Sequence, residues 1–289
     1  MIDFRYHVIS LVAVFLALGL GMLIGAGVLD RVTVSRLGAS VKSLESKLND
    51  DRAQIKSLRD QNAQTNDLVT GLVPRVTHNI LQNDQVLFVR AGGGQGWEGA
   101  ASDAIKLAGA ADGGSIVFTD RWSLSDPKDA GRLAAALQLT LDPKDPDPAG
   151  SAAEYLGTQL AAANGPALVS ALKDAGFLNV SPPSSGVFPA PGADVVVFAG
   201  SSNDTWLTRF AQANAAHSAT LVVAPSPDQL GTVDAIRRLS GTPKLLSTFD
   251  SASTDPSGVG CVLALKAAID QQGANFGTAD GLNYAPPFS

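Results

Sequence analysis

The sequence predicts an α/β protein in three consecutive parts. These are an N-terminal transmembrane helix, a long coiled-coil helix and a Rossmann-like domain with a mainly parallel sheet. Three observations carry this reading. Residues 8–29 contain no charged side chain, apolar positions from Val34 onward recur at alternating steps of three and four, and from Asp84 short apolar runs alternate with helical patterns.

The run Val8 to Leu29 comes first. At 1.5 Å per residue it makes roughly 33 Å of helix, enough to cross a hydrocarbon core about 30 Å thick. A cleavable signal peptide would carry a shorter apolar region followed by a small-x-small site. Here Leu29, Asp30, Arg31 and Val32 continue a helical pattern instead. Uncharged runs of this length are uncommon in the core helices of soluble domains. The expectation is therefore an uncleaved anchor over 8–29, preceded by a short tail, 1–7. Arg5 precedes the run and Arg31, Arg36, Lys42 and Lys47 follow it. Long domains translocate largely regardless of such charges, so the count leaves orientation open. Within the run Ala17, Gly21 and Gly25 form a small-xxx-small row of the kind that lets membrane helices pack closely.

Residues 30–76 read as a stalk. The positions Val34, Leu37, Val41, Leu44, Leu48, Asp51, Ile55, Leu58, Asn62, Thr65, Val69, Leu72 and Val76 follow one another without a break, and ten of the thirteen are apolar. A 3.5-residue period sustained this long indicates a coiled coil rather than an ordinary surface helix. With Val34 at a, Val41, Leu48, Ile55 and Val69 share that position, and Leu37, Leu44, Leu58 and Leu72 fall at d. β-branched residues at a with leucine at d favour two parallel strands, and Asn62 at a would fix their register. The expected partner is a second copy, because anchored neighbours share a high effective concentration. Pro74 is expected to end the regular helix, with about 60 Å of rod between Asp30 and Leu72.

The distal domain is placed at 84–274, with an irregular tail at 275–289. Its apolar runs are 85–91, 115–120, 193–200, 220–225 and 244–249. Helical patterns lie at 97–111, 127–140, 152–175 (two helices broken at Gly165-Pro166), 204–216, 227–239 and 256–272. Strands apolar on both faces and alternating with helices indicate a parallel sheet covered on both sides. The segments 141–150 and 181–192 are proline-rich loops.

Composition narrows the function. The net charge is −6 and basic residues are scattered, so nucleic acid is not an expected partner. One cysteine, Cys261, excludes an intrachain disulfide, and its apolar surroundings suggest a packed thiol. His7, His78 and His217 are isolated, and the methionines are Met1 and Met22, so no clustered soft-metal site is visible. Gly94, Gly96 and Gly99 form a literal GxGxxG after the first strand, and Asp120 closes the second run at the spacing of a ribose-binding acid. Trp97 and Glu98 would crowd that helix start with bulk and negative charge, which leaves a plain βα turn as the competing reading. No nucleophile constellation stands out, and Gly200-Ser201-Ser202 lacks the second glycine of a nucleophile elbow. No enzyme and no cofactor are expected.

The opening Arg5-x-His7, Ser10-Leu11 and Ala13-Val14-Phe15-Leu16-Ala17-Leu18-Gly19, followed by the heptads and by 84–93 opening an α/β domain, resembles the actinobacterial copper-transport protein B (MctB) family, including the corynebacterial SteB-like cell-separation proteins. The resemblance covers essentially the whole chain. It implies an exported domain on a single-pass cell-membrane anchor, with the short tail 1–7 cytoplasmic, and a role in copper transport or homeostasis. It further implies a SteA-like membrane partner and a cell-wall hydrolase system in cell separation. It supplies no catalytic or metal residue that maps onto this chain. Three functions follow as expectations: a dimeric presenter of the α/β domain to envelope partners, a direct component of a copper efflux channel, and a nucleotide-binding Rossmann enzyme.

Overall fold

A computed structural model describes residues 4–92, 96–142, 144–183, 186–199, 205–226, 231–239, 243–255 and 257–278, without the side chains of 4–5, 26–39, 66, 69–70, 72–74 and 76. The chain divides into two compact units, Met1–Thr65 and Asn66–Ser289.

The first unit is helix. Helix α1 runs unbroken over Phe4–Val76, its last turns belonging to the second unit. The expected stop at Pro74 comes two residues later. A proline in the final turn lacks one N–H donor there, and helix ends fray, so a short overrun is tolerated. Within α1, Tyr6–Gly25 has a mean hydropathy of 2.6 over 20 residues, long and apolar enough to cross a membrane.

The second unit is built on a seven-stranded sheet: β1 (Gln85–Ala91), β2 (Ala111–Phe118), β3 (Leu178–Ser181), β4 (Asp194–Phe198), β5 (Thr220–Val223), β6 (Leu246–Phe249) and β7 (Asn275–Phe276). Their order is β3-β2-β1-β4-β5-β6-β7, all parallel except β3 against β2. This is the doubly wound order with its reversal between β1 and β4. The helices are α2 (Gly96–Leu107), α3 (Pro127–Leu137), α4 (Pro148–Leu160), α5 (Gly165–Asp174), α6 (Thr205–Asn214), α7 (Thr232–Arg237) and α8 (Val259–Ile269). One sheet face packs Val89, Ile116, Phe118 and Val197 against Leu133, Leu156, Leu172 and Phe210. The other packs Phe88, Val196, Val223 and Phe249 against Ile105, Cys261, Val262 and Leu265. The five apolar runs are thus strands buried on both faces.

Differences from the sequence reading have local causes. Strand β2 begins at Ala111, not 115, because Gly113 and Gly114 form a bulge that shifts its register against Val86 and Phe88. Gly114 has φ +85°, and a Cβ on Gly113 would stand 2.6 Å from the Val86 carbonyl oxygen. Two glycines break the apolar pattern but not the pairing. The strand stops at Phe118, and Asp120 opens a 3-10 turn, Asp120–Ser123, rather than closing a strand. Helix α4 starts at Pro148, inside the expected loop. Asp147 caps it by accepting a hydrogen bond from the Gly150 N–H at 2.9 Å, with proline in the first turn. The break expected at Gly165-Pro166 falls just before it, since α5 begins at Gly165. Strands β3 and β7 fall outside the five apolar runs. The first ends where the loop 181–192 was expected to begin, and the second occupies the first residues of the expected tail. Each is four residues or fewer and lies at a sheet edge, too short for a periodic signal.

Candidate functional site

In a doubly wound sheet the C-terminal ends of the strands on either side of the order reversal diverge and leave a crevice. Here those ends are Ala91 of β1 and Phe198 of β4. Helix starts follow each: α2 opens at Gly96 and α6 at Thr205. All three tryptophans of the chain lie just downstream of β1, β2 and β4. Trp97 meets Phe198 edge-on, with ring centroids 5.6 Å apart. Trp206 stacks on Trp122 at 5.6 Å and 24°, and both contact Phe118 at 4.8 Å. Trp122 is fully buried, and its indole N–H donates to the Phe177 carbonyl oxygen at 3.1 Å. Its place is fixed by packing and by that bond, and Trp206, half-buried, is held against it.

Two adjoining hollows open here. One, of about 260 Å³, is lined by Ala91, Gly92, Phe118, Thr119, Asp120, Trp122, Ser123 and Trp206. The other, of about 440 Å³, shares Gly92, Phe118, Thr119 and Asp120 and extends over Arg90, Val117, Asn179 and Ser181. Thr119 donates its hydroxyl proton to the Gly176 and Phe177 carbonyl oxygens, tying the end of β2 to the start of β3. The Asp120 carboxylate is exposed and makes no hydrogen bond among the described residues. Gly92 has φ +71°, and no atom lies within 4 Å of where its Cβ would stand.

Of the GxGxxG, Gly94 lies outside the described residues. Gly96 and Gly99 have no atom within 4 Å of a built Cβ, so neither permits a close helix–strand approach. In a dinucleotide fingerprint the third glycine serves that approach. Glu98, in the first turn of α2, is buried and pairs with Arg90 at 3.1 Å. A carboxylate therefore occupies the helix start where an anion would otherwise bind. Gly99 lines a separate hollow with Phe88, Arg90, Glu98 and Lys106, and not the one holding Asp120.

Elsewhere the polar groups build the fold. The acids of 142–147 serve α4: Asp145 accepts from Ser151 Oγ at 2.6 Å, and Arg209 of α6 reaches Asp147 at 3.4 Å and Glu154 at 2.7 Å. Asp250 is buried against Arg237 at 2.8 Å and accepts from the Thr278 N–H, while Arg237 also donates to the Phe276 carbonyl oxygen. This cluster holds β7 to the sheet. Cys261 is fully buried, and burial together with the nearby Asp255 pushes its thiol well above the ordinary range, as suits a packing residue. Among the described residues no group of three or more His, Cys, Asp or Glu side chains is placed to hold a metal. His78 and His217 are exposed and far from one another in sequence.

In the first unit, Val41, Leu44, Leu48, Ile55 and Leu58 are all about half exposed or more, Leu44 at 60%. Asn62 is also exposed. The side chains of Val34, Leu37, Val69 and Leu72 lie outside the described residues. Ala17, Gly21 and Gly25 are exposed, and a Cβ on either glycine would meet nothing within 4 Å. The residues missed by sequence reasoning are Gly92, Thr119, Trp122 and Trp206. The signal that could have found them is the placing of every tryptophan after a strand of the first half-sheet or its neighbour β4.

Fold and site together define an α/β protein of doubly wound topology led by a membrane-length apolar helix. A family model described as Copper transport outer membrane protein, MctB, matches residues 1–287, and the chain belongs to this family. The Copper transporter MctB of Mycobacterium tuberculosis (strain ATCC 25618 / H37Rv) is 25% identical over 310 residues, covering 97% of this chain and 98% of the relative. That of Mycobacterium leprae (strain TN) is 26% identical over 294 residues, covering 92% of each. Family and apolar helix make this a membrane-associated protein.

Proposed function

We propose that the chain is a cell-envelope protein on a single-pass cell-membrane anchor, whose long helix pairs in parallel with that of a second copy and presents the α/β unit to envelope partners. The observation that supports this is the seam Val41, Leu44, Leu48, Ile55 and Leu58, apolar at 3.5-residue spacing and exposed along its described length. Burying such a seam against an identical one removes it from water at about 25 cal/mol per Å². The N-terminus faces the cytoplasm and the α/β unit the extracytoplasmic side. Copper transport or homeostasis is the physiological setting that the relatives' names suggest. A SteA-like membrane partner, a cell-wall hydrolase system and a part in cell separation belong to the same reading through the resemblance.

A direct role in copper efflux would take several copies, because one helix cannot line a polar path through lipid. The row Ala17, Gly21 and Gly25 is the surface through which they would pack. Cysteines placed singly at Leu44 and Leu58 test the pairing, since the native Cys261 is buried and silent. Oxidation in membranes is expected to yield a disulfide-linked dimer from both. Exclusively monomeric chains would refute the pairing. Raised cellular copper in a deletion strain, restored by the intact chain but not by one lacking residues 30–76, would join the stalk to the copper role.

A further inference from the structure

We propose that the hollow at the ends of β1 and β2 binds a neutral sugar ring, with Trp206 as the stacking face and Asp120 as the hydroxyl acceptor. The inference goes beyond the pairing and copper readings and does not rest on either.

The aromatic part comes first. An indole offers an electron-rich face that attracts polarised C–H groups, and its contribution is greatest when the ring loses no freedom on binding. Trp206 meets both conditions. It is stacked on Trp122 and braced by Phe118, and it lines the hollow while remaining half-buried. Gly92, which also lines the hollow, adds no bulk: nothing lies within 4 Å of where its Cβ would stand.

The polar part selects the chemistry. Among the described residues the hollow's one charged lining residue is Asp120, whose carboxylate can accept hydrogen bonds from ligand hydroxyls. Thr119 has committed its proton to backbone, so its oxygen is left to accept. The Ser123 hydroxyl, which also lines the hollow, donates to the Asp120 carbonyl oxygen at 2.7 Å, so it too offers an oxygen that accepts. Among the described residues no lysine or arginine lines this hollow, and Arg90 in the adjoining one is paired with Glu98. Among the described residues a phosphate would meet the Asp120 carboxylate and no lysine or arginine of this hollow. A flat aromatic face, acceptors without a cation and a volume of about 260 Å³ together suit one uncharged polyhydroxylated ring.

The test uses the full chain in detergent, titrated with the N-acetylglucosamine trimer, with maltotriose and with NAD. Tryptophan fluorescence and calorimetry provide the readouts. Saturable binding of at least one sugar is expected, and which one binds separates an amino-sugar glycan from a plain glucan. Asp120→Asn, at an exposed side chain with no hydrogen bond among the described residues, should fold normally and weaken binding about tenfold or more, as loss of a charge-assisted hydrogen bond does. Trp206→Leu should abolish binding, with circular dichroism confirming that the unit is still folded. Failure of both sugars to bind up to millimolar concentration would overturn the proposal. So would sugar binding indifferent to Asp120→Asn, or saturable binding of NAD in place of the sugars.

Discussion

Leucine behaves oppositely in the two units. In α1 Leu44 and Leu58 are 60% and 58% exposed, whereas in the sheet and its helices Leu87, Leu133 and Leu156 are at 1% or less. The α/β unit consumes its own apolar surface: among the described residues seven strands are covered on both faces by seven helices. Among its described residues the long helix has no such cover within Met1–Thr65, and the apolar band and the seam positions Val41, Leu44, Leu48, Ile55 and Leu58 are exposed. Exposed apolar surface of this extent marks an interaction site. The two units therefore call on different sources of stability. One is self-sufficient, and the other completes itself with lipid and, on our reading, with a second copy.

This contrast can be broken or sharpened by substitution. Tryptophan fluorescence reports only the α/β unit, since Trp97, Trp122 and Trp206 all lie there. The largest loss is expected from Arg237→Ala, which takes the guanidinium away from buried Asp250 and the donor away from the Phe276 carbonyl oxygen that holds β7. The cost should be about 3–5 kcal/mol in denaturant unfolding of the full chain. Next is Gly157→Ala, whose added Cβ would stand 2.5 Å from the Phe210 carbonyl oxygen where α4 crosses α6. Overpacking there should remove up to about 3 kcal/mol.

Asp194 gives a pH signature. Burial, and then the nearby charge of Asp84, raise its carboxyl to about 7. A carboxyl raised in the folded state contributes stability that is fully present below its unfolded value near 4 and is lost as pH rises through about 7. The unit should therefore lose on the order of 2 kcal/mol across that window from this group, allowing for its partial contact with water. Asp194→Asn should flatten the profile; an unchanged slope would show that other groups set it. Asp147→Ala removes the α4 cap and should cost about 1 kcal/mol. The smallest effect on the α/β unit is expected from Leu44→Ala, within about 0.5 kcal/mol by tryptophan fluorescence. The same change should weaken cross-linking through a cysteine at Leu58. If Leu44→Ala instead lowers the unfolding midpoint of the α/β unit, the two units are not independent and the comparison fails.

Much of the architecture was readable from residue order. Composition and period alone marked the apolar helix, the long helical run and the parallel strands, because strands buried on both faces leave uninterrupted apolar runs. The misjudged boundaries had specific causes. Gly113-Gly114 hid the start of β2, a capped proline at Pro148 lengthened α4 into a loop, and β3 and β7 were too short to show a pattern. The GxGxxG was visible, yet its spacing said nothing of the Glu98–Arg90 pair that closes the helix start to anions.

The sequence by itself determined that this protein has an apolar helix of membrane length, a heptad seam and an α/β domain, since each is a matter of spacing along the chain. Only the tertiary structure decided which residues face the crevice at the β1–β4 reversal. Trp122 and Trp206 stand far apart in the chain, and it is the strand order that stacks one on the other beside Asp120. Spacing is local, whereas a site of this kind is assembled by crossovers whose destinations no short stretch encodes.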